Sequence, residues 1–335
     1  MARSIRLFVV AILAVVLALS SAQNVCAQPQ PGDYIVTQYN GNALSDITPG
    51  GAASIVYTFV PNTGPEFVAI DSAGNYIVAE FTVGILSRIT PGGARTVVFT
   101  FIVPGSSAAY GVAVDSAGNY IVTETSAQVL SSITPSGTRT VIYSFAPGSN
   151  PIPVVIDHDG NYIVGELGVL SKISRDGSTR TVIWTCPPGL SPMGVAIDYA
   201  GNYIVTIASG GPTGSLLYRV TASGVPTLVY TFSPGTLPAG VVVNSAGNYV
   251  VAEQGTEALS QINPSGTTRT VIYTFPQGAT PFGVAIVPSP PSVGAPVGGF
   301  MEPVNKLNVF APYLALLGLV AAVAVVVAKP WKRDN

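Results

Sequence analysis

Two recurring positions and one singular residue hold most of the side chains in this chain that could do chemistry. Glu80, Glu124, Glu166 and Glu253 each close a short apolar run that begins at a tyrosine, and Gln38 and Ile207 stand in the same place in two further copies. A carboxylate repeated in this way reads most simply as a structural residue copied by duplication. The sharper reading is an acidic ring that attracts cations or a basic partner. The second position lies near the start of another apolar run and holds Glu66, Tyr110, Ile152, Met193, Ala239 and Phe282. One carboxyl among five uncharged, mostly apolar residues is a poor metal cage, because hard cations need several oxygen ligands. It suits an apolar or aromatic contact patch.

The singular residue is His158, the only histidine, set in Asp157-His158-Asp159-Gly160-Asn161. The alternating acids hint at calcium, but an EF-hand loop needs glycine at its sixth position and glutamate at its twelfth. Tyr162 and Gly168 stand there instead, so this stretch reads as an ordinary turn. Cys186 occupies a place held in other copies by Phe59, Phe101, Phe145, Phe232 and Phe275, which predicts a buried, inert thiol and not a nucleophile. Neither a nucleophile elbow, a phosphate loop nor Cys/His metal spacing is present. No cofactor is therefore expected; a divalent cation is possible, but no motif supports it.

The elements that must position these residues are short strands. In Gly111–Phe145, four runs rich in Val, Ile, Tyr and Thr (from Gly111, Tyr120, Leu130 and Thr140) alternate with Gly-, Pro-, Ser- and Asn-containing turns, the pattern of strands and not helices. The unit recurs on a Gly-Asn-Tyr or Gly-Asp-Tyr turn ending at Tyr34, Tyr76, Tyr120, Tyr162, Tyr203 and Tyr249, at intervals of 41–46 residues. Four strands in about 40–45 residues is the period of a propeller blade. The first copy lacks its opening strand, and a lone opening strand, Pro281–Ile286, follows the sixth. If that strand joins the three from residues 33–59, six blades close into an all-β ring without an open edge. In four of the six outer strands an arginine (Arg95, Arg139, Arg180, Arg269) is expected to blunt the exposed edge.

Charge and termini bound the setting. Only 9% of residues are charged, and between Gln28 and Phe300 eight basic residues face fourteen acidic ones, so nucleic acid is not an expected partner. Residues 1–27 carry Arg3 and Arg6, an apolar run from Leu7 to Leu19 and a small-residue end at Ala27, the parts of a secretory signal; Ala22 is a second cleavage choice. Lipidation of Cys26 is disfavoured by the Gln23-Asn24-Val25 that precedes it. A Pro/Gly-rich stalk is expected over 288–308 and an uncharged transmembrane helix over 309–328, long enough for the ~30 Å hydrocarbon core. Lys329, Lys332 and Arg333 in the tail, 329–335, place the C-terminus in the cytoplasm and the propeller outside.

The pattern Pro192-Met-Gly-Val-Ala-Ile-Asp198 followed by Gly201-Asn-Tyr-Ile-Val205 resembles the NHL repeat of six-bladed propellers, over residues 32–287. Where NHL repeats usually carry an aspartate after the second strand, this chain has the Gln38, Glu80, Glu124, Glu166, Ile207 and Glu253 series. The residues from Val297 to Tyr313 resemble C-terminal anchors of archaeal surface proteins. Two enzyme families share the architecture the resemblance implies: streptogramin lyases, which use a histidine with Mg²⁺, and gluconolactonase-like hydrolases, with an acid/amide metal site in the channel. The expected placement of His158 on the face opposite the channel mouth weighs against the first, and the single acid Glu66 against the second. The reading that follows is a non-catalytic surface module for an extracellular protein, peptide or glycan, bound at the loop-rich channel mouth. A metal-dependent lactonase or lyase is the alternative, and a wall or sheath component packing through its blade edges is the second.

Overall fold

The structure, a computed structural model, describes residues 28–101, 109–209, 211 and 214–289. The segments expected to be the signal, the span, the tail and nearly all of the stalk lie outside them. Among the described residues every regular element is a strand. Six four-stranded antiparallel sheets form six blades. Blade 1 joins residues 34–58 to the C-terminal strand Pro281–Ile286, and blades 2 to 6 take residues 65–100, 109–144, 154–185, 192–231 and 238–274. The strand expected at Gly111 begins at Ala109, and the two expected at Leu130 and Thr140 begin one residue earlier.

The turn after each innermost strand shows how the sequence makes a blade. In blade 2 Asp71 Oδ1 accepts from the amides of Ala73 and Asn75, both at 2.9 Å, while Asn75 donates its side-chain amide back to the carboxylate. Gly74 takes φ = +80° to close the turn, a conformation open to glycine and costly for a residue with a Cβ. Asp115, Asp157, Asp198 and Asn244 repeat the arrangement.

Blade 1 has no such turn, because its strands come from opposite ends of the propeller sequence. The two chain segments nevertheless make the same bonds. Gly32 N donates to Val287 O and Val287 N to Asp33 O, each at 2.9 Å, matching Gly74 N to Asp71 O and Asp71 N to Asn75 O in blade 2. Ring closure is thus a non-covalent copy of an ordinary blade turn.

Each second strand is buried along its whole length, because it is covered by the neighbouring blades on both faces. The core divides into six apolar clusters, one in each seam between blades. Near its outer end the seam is closed by an edge-to-face pair, such as Phe99 with Phe101 at 4.9 Å or Tyr143 with Phe145 at 5.0 Å. Blade 4 has Cys186 instead, buried, with its thiol pushed up to about 12 by burial; Trp184 turns to Tyr218 of blade 5, 4.9 Å away.

The ring is not sixfold at its centre. In blades 1, 3 and 5 a second-strand threonine (Thr37, Thr123, Thr206) donates to a channel-mouth carbonyl of the next blade, that of Glu66, Ile152 and Ala239 respectively. Thr37 and Thr123 also accept from Gly283 N and Gly111 N at 2.8 Å. Ala79, Gly165 and Ala252 stand at this position in blades 2, 4 and 6. Blades are therefore tied in three pairs. A Cβ at Gly111 would lie 2.2 Å from Ile152 O, so the close approach requires glycine there.

Candidate functional site

The innermost strands surround a channel cavity of about 420 Å³, lined by apolar residues such as Val112, Val154, Val195 and Val241, with Phe67 at one end. The six mouth residues lie beyond that lining. Phe282 and Ala239 are buried, and Tyr110, Ile152 and Met193 are half-buried. Glu66 is 3% exposed, and its Oε2 has no hydrogen-bond partner among the described residues. Burial therefore raises its carboxyl pKa well above the usual range.

The structure brings Glu66, Tyr110 and Phe282 together and adds three rings that repeat-by-repeat reasoning missed. Phe282 lies 5.4 Å from Phe67, 5.9 Å from Tyr110 and 6.4 Å from Tyr39; Tyr110 is 4.9 Å from Phe81, edge to face. Burial, then the charge of Glu66, then Tyr39 raise the Tyr110 phenol above its ordinary value. All five rings belong to blades 1 to 3. Across the channel, blades 4 to 6 supply the aliphatic Ile152, Met193 and Ala239. The missed rings had a readable signal: Phe67 stands where Gly111, Gly194, Gly240 and Gly283 stand, and Tyr39 and Phe81 follow the glutamate position, where Thr125, Leu167, Ala208 and Gln254 follow it elsewhere.

The repeated glutamates are placed in ion pairs within their own blades. Glu80, Glu124, Glu166 and Glu253 have side chains no more than 3% exposed and meet Arg95, Arg139, Arg180 and Arg269 at 2.5–2.8 Å. Ser131 donates to Glu124 at 2.5 Å, and Ser260 donates to Glu253. The other two blades change the whole set. Blade 1 has Gln38, Ser45 and Ala53, with the amide of Gln38 donating to Ser45 at 2.5 Å, and blade 5 has Ile207, Tyr218 and Pro226. Where the acid is absent its base is absent too. This inward pairing leaves the arginines only 23–29% exposed, so they are not the outer fringe expected from the sequence. The outer strands instead expose Ile55, Val97, Val141, Val182, Leu228 and Val271, one per blade and 43–51% exposed.

His158 lies at the other end of the channel from the mouth. It is exposed and lines a small pocket of about 170 Å³ with Asp115, Asp157, Asp159 and Arg175. Burial pushes Asp157 up, but the hydrogen bonds from Asn161 and from Lys172, whose Nζ is 3.0 Å away, together hold it below the usual range.

Comparison with solved structures places this arrangement among known propellers. A streptogramin B lyase is 18% identical, with a TM-score of 0.58, over 77% of this chain and 88% of its own. A gluconolactonase from Xanthomonas campestris is 13% identical, with a TM-score of 0.56, over 76% and 89%. The fold is theirs. A chain of a nidogen/laminin complex superposes with a TM-score of 0.64 at 14% identity, over 76% of this chain and 98% of that one. Identities this low show the fold alone. No family model and no curated protein sequence matches the chain. The metal that the two enzyme families imply does not fit the mouth, where one carboxyl stands among aromatic and aliphatic side chains, short of the oxygen donors a hard cation needs.

Proposed function

We propose that this protein is a non-catalytic binding module, displayed outside the cell on a single C-terminal span, that engages an extracellular protein, peptide or glycan at the channel mouth. The observation that carries the reading is the five-ring cluster beside the buried Glu66, whose Oε2 has no hydrogen bond among the described residues. Aromatic rings give large contact area at small entropic cost, and an unpaired buried carboxyl stays poised for a partner. The mouth residues hold no histidine and no second carboxyl beside Glu66, which favours binding over turnover. The span and the basic tail support the display.

The test is a screen of peptide and glycan arrays with the full-length protein and with Tyr110→Ala and Phe282→Leu. Ligands retained by the wild-type protein and lost by both variants, while thermal unfolding remains cooperative, support the assignment. Ligands retained equally by all three proteins refute the mouth, and turnover of a retained ligand refutes the non-catalytic role. Protection of the propeller from protease added outside intact cells would overturn the topology.

A further inference from the structure

Four of the six seams between blades carry the same polar device, and a fifth carries a neutral version of it. A second-strand tyrosine of one blade reaches an aspartate of the preceding turn together with a base. Tyr120 meets Asp71 and Arg88, Tyr162 meets Asp115 and Arg175, Tyr203 meets Asp157 and Lys172, and Tyr249 meets Asp198 and Arg219. In the fifth seam the pair is neutral on both sides: Asn244 donates to Gln261 at 3.0 Å and to the hydroxyl of Tyr34 at 3.4 Å. Each of these seams either sets a base against its acid or is neutral; in the Tyr203 seam a second acid, the exposed Asp159, also acts on the phenol.

The sixth seam, between blades 1 and 2 beside the ring closure, breaks the rule. Its tyrosine, Tyr76, packs in one apolar cluster with Ile35 of blade 1, and its phenol is raised by burial first and then by the charges of Asp46 and Asp33. Asp46 stands in the strand position that holds Arg88 in blade 2, Lys172 in blade 4 and Arg219 in blade 5. Ile35 pairs with Asp46 across the two strands, so Asp33, two residues before Ile35, lies diagonally on the same face, ~7–8 Å away along the backbone and within side-chain reach. Asp33 and Asp46 are 5% and 6% exposed. Asp33 accepts from Gln30 N at 2.7 Å, whereas Asp46 Oδ1 is buried with no hydrogen-bond partner among the described residues. Two carboxyls and a phenol thus share this seam with no base among the described residues beside them.

We infer that this seam binds a divalent cation, held by Asp46, Asp33 and the Tyr76 hydroxyl with water completing the shell, in the place that arginine or lysine fills elsewhere. An all-oxygen donor set with two carboxylates selects a hard ion, and calcium tolerates the irregular geometry of a seam better than magnesium. Two buried negative charges are neutralised by one ion of charge +2, as the acid–base pairs neutralise their own seams. The ion clamps blade 1 to blade 2 next to the only blade turn that lacks a covalent link, so occupancy is coupled to ring closure.

The test uses full-length protein stripped by chelator and unfolded thermally at pH 8, with calcium, magnesium or neither. Calcium at saturation should raise Tm by roughly 5–10 °C, and magnesium by less. Asp46→Asn should remove the calcium response, and Asp46→Arg, which rebuilds the acid–base pair of the other seams, should do the same while raising the Tm of the stripped protein. Asp176→Asn, an exposed turn carboxylate, should leave the response intact. Three results would overturn the inference: no calcium response in the wild-type protein, a response that persists in Asp46→Asn, or stability at pH 5 without metal equal to that of Asp46→Arg, which would mean that a proton alone completes the seam.

Discussion

Arg139→Ala is the most direct way to ask what the repeated glutamates do. The substitution leaves Glu124, with its side chain 3% exposed, facing no base. Breaking a buried pair from one side costs about 3–5 kcal/mol, because an uncompensated charge remains in the interior. Here the arginine side chain is 29% exposed, so water screens part of the charge, and about 2–3 kcal/mol is the better figure. At roughly 2–4 °C per kcal/mol for a domain of this size, Tm should fall by about 5–10 °C. Blade 1 then supplies the rescue, since it does without both charges through Gln38, Ser45 and Ala53. Glu124→Gln combined with Arg139→Ala reproduces that set in blade 3, where Ser131 is already present, and should stay within about 1 kcal/mol of wild type. Thermal and denaturant unfolding of the two single variants and the double variant completes the cycle. A double variant as unstable as Arg139→Ala alone would refute the reasoning, because the loss would then come from arginine packing and not from a buried unpaired carboxylate.

Three further outcomes are expected. Gly111→Ala should destabilise by about 2–4 kcal/mol, since its Cβ meets Ile152 O at 2.2 Å, whereas Gly118→Ala, limited by its φ of +83° and not by contact, should cost about 1–2 kcal/mol; equal losses would discredit the paired-blade account. The raised carboxyl of Glu66 makes the folded state hold a proton that the unfolded state releases, so its contribution is most favourable below the unfolded value of 4.5 and is lost as pH rises through the folded one. Glu66→Gln should therefore flatten the fall in Tm toward alkaline pH, and a slope identical to wild type would show that Glu66 is already ionised and paired. Deleting Pro281–Ile286 should abolish cooperative unfolding, and retention of the wild-type Tm would remove the closure strand from the account of stability.

Much of this molecule was legible because its signals are local. Gly-Asn-Tyr turns, four-strand spacing and a missing strand at one end matched by a surplus strand at the other depend on residues close together in sequence. So does the placement of His158 in a turn. The candidate site was legible only in half. Glu66, Tyr110 and Phe282 were recognisable as variable residues at an equivalent position, yet Tyr39, Phe67 and Phe81 join them through contacts between blades. The role of the repeated glutamates was open in the sequence because each arginine lies two strands away, and only the twist and register of a folded blade carry its guanidinium back to the carboxylate.

Sequence alone, then, determined the blade, its number and the way the ring closes, because turn chemistry and strand period act within one repeat. Tertiary structure decided what the chemically capable residues face. It put four repeated carboxylates into ion pairs, left one buried oxygen each of Glu66 and Asp46 without a hydrogen bond among the described residues, and gathered rings from three blades at one side of the mouth. Those outcomes depend on which residue of one blade meets which residue of the next. That pairing exists only after closure brings Phe282 and Tyr39, from opposite ends of the array, within 6.4 Å of each other.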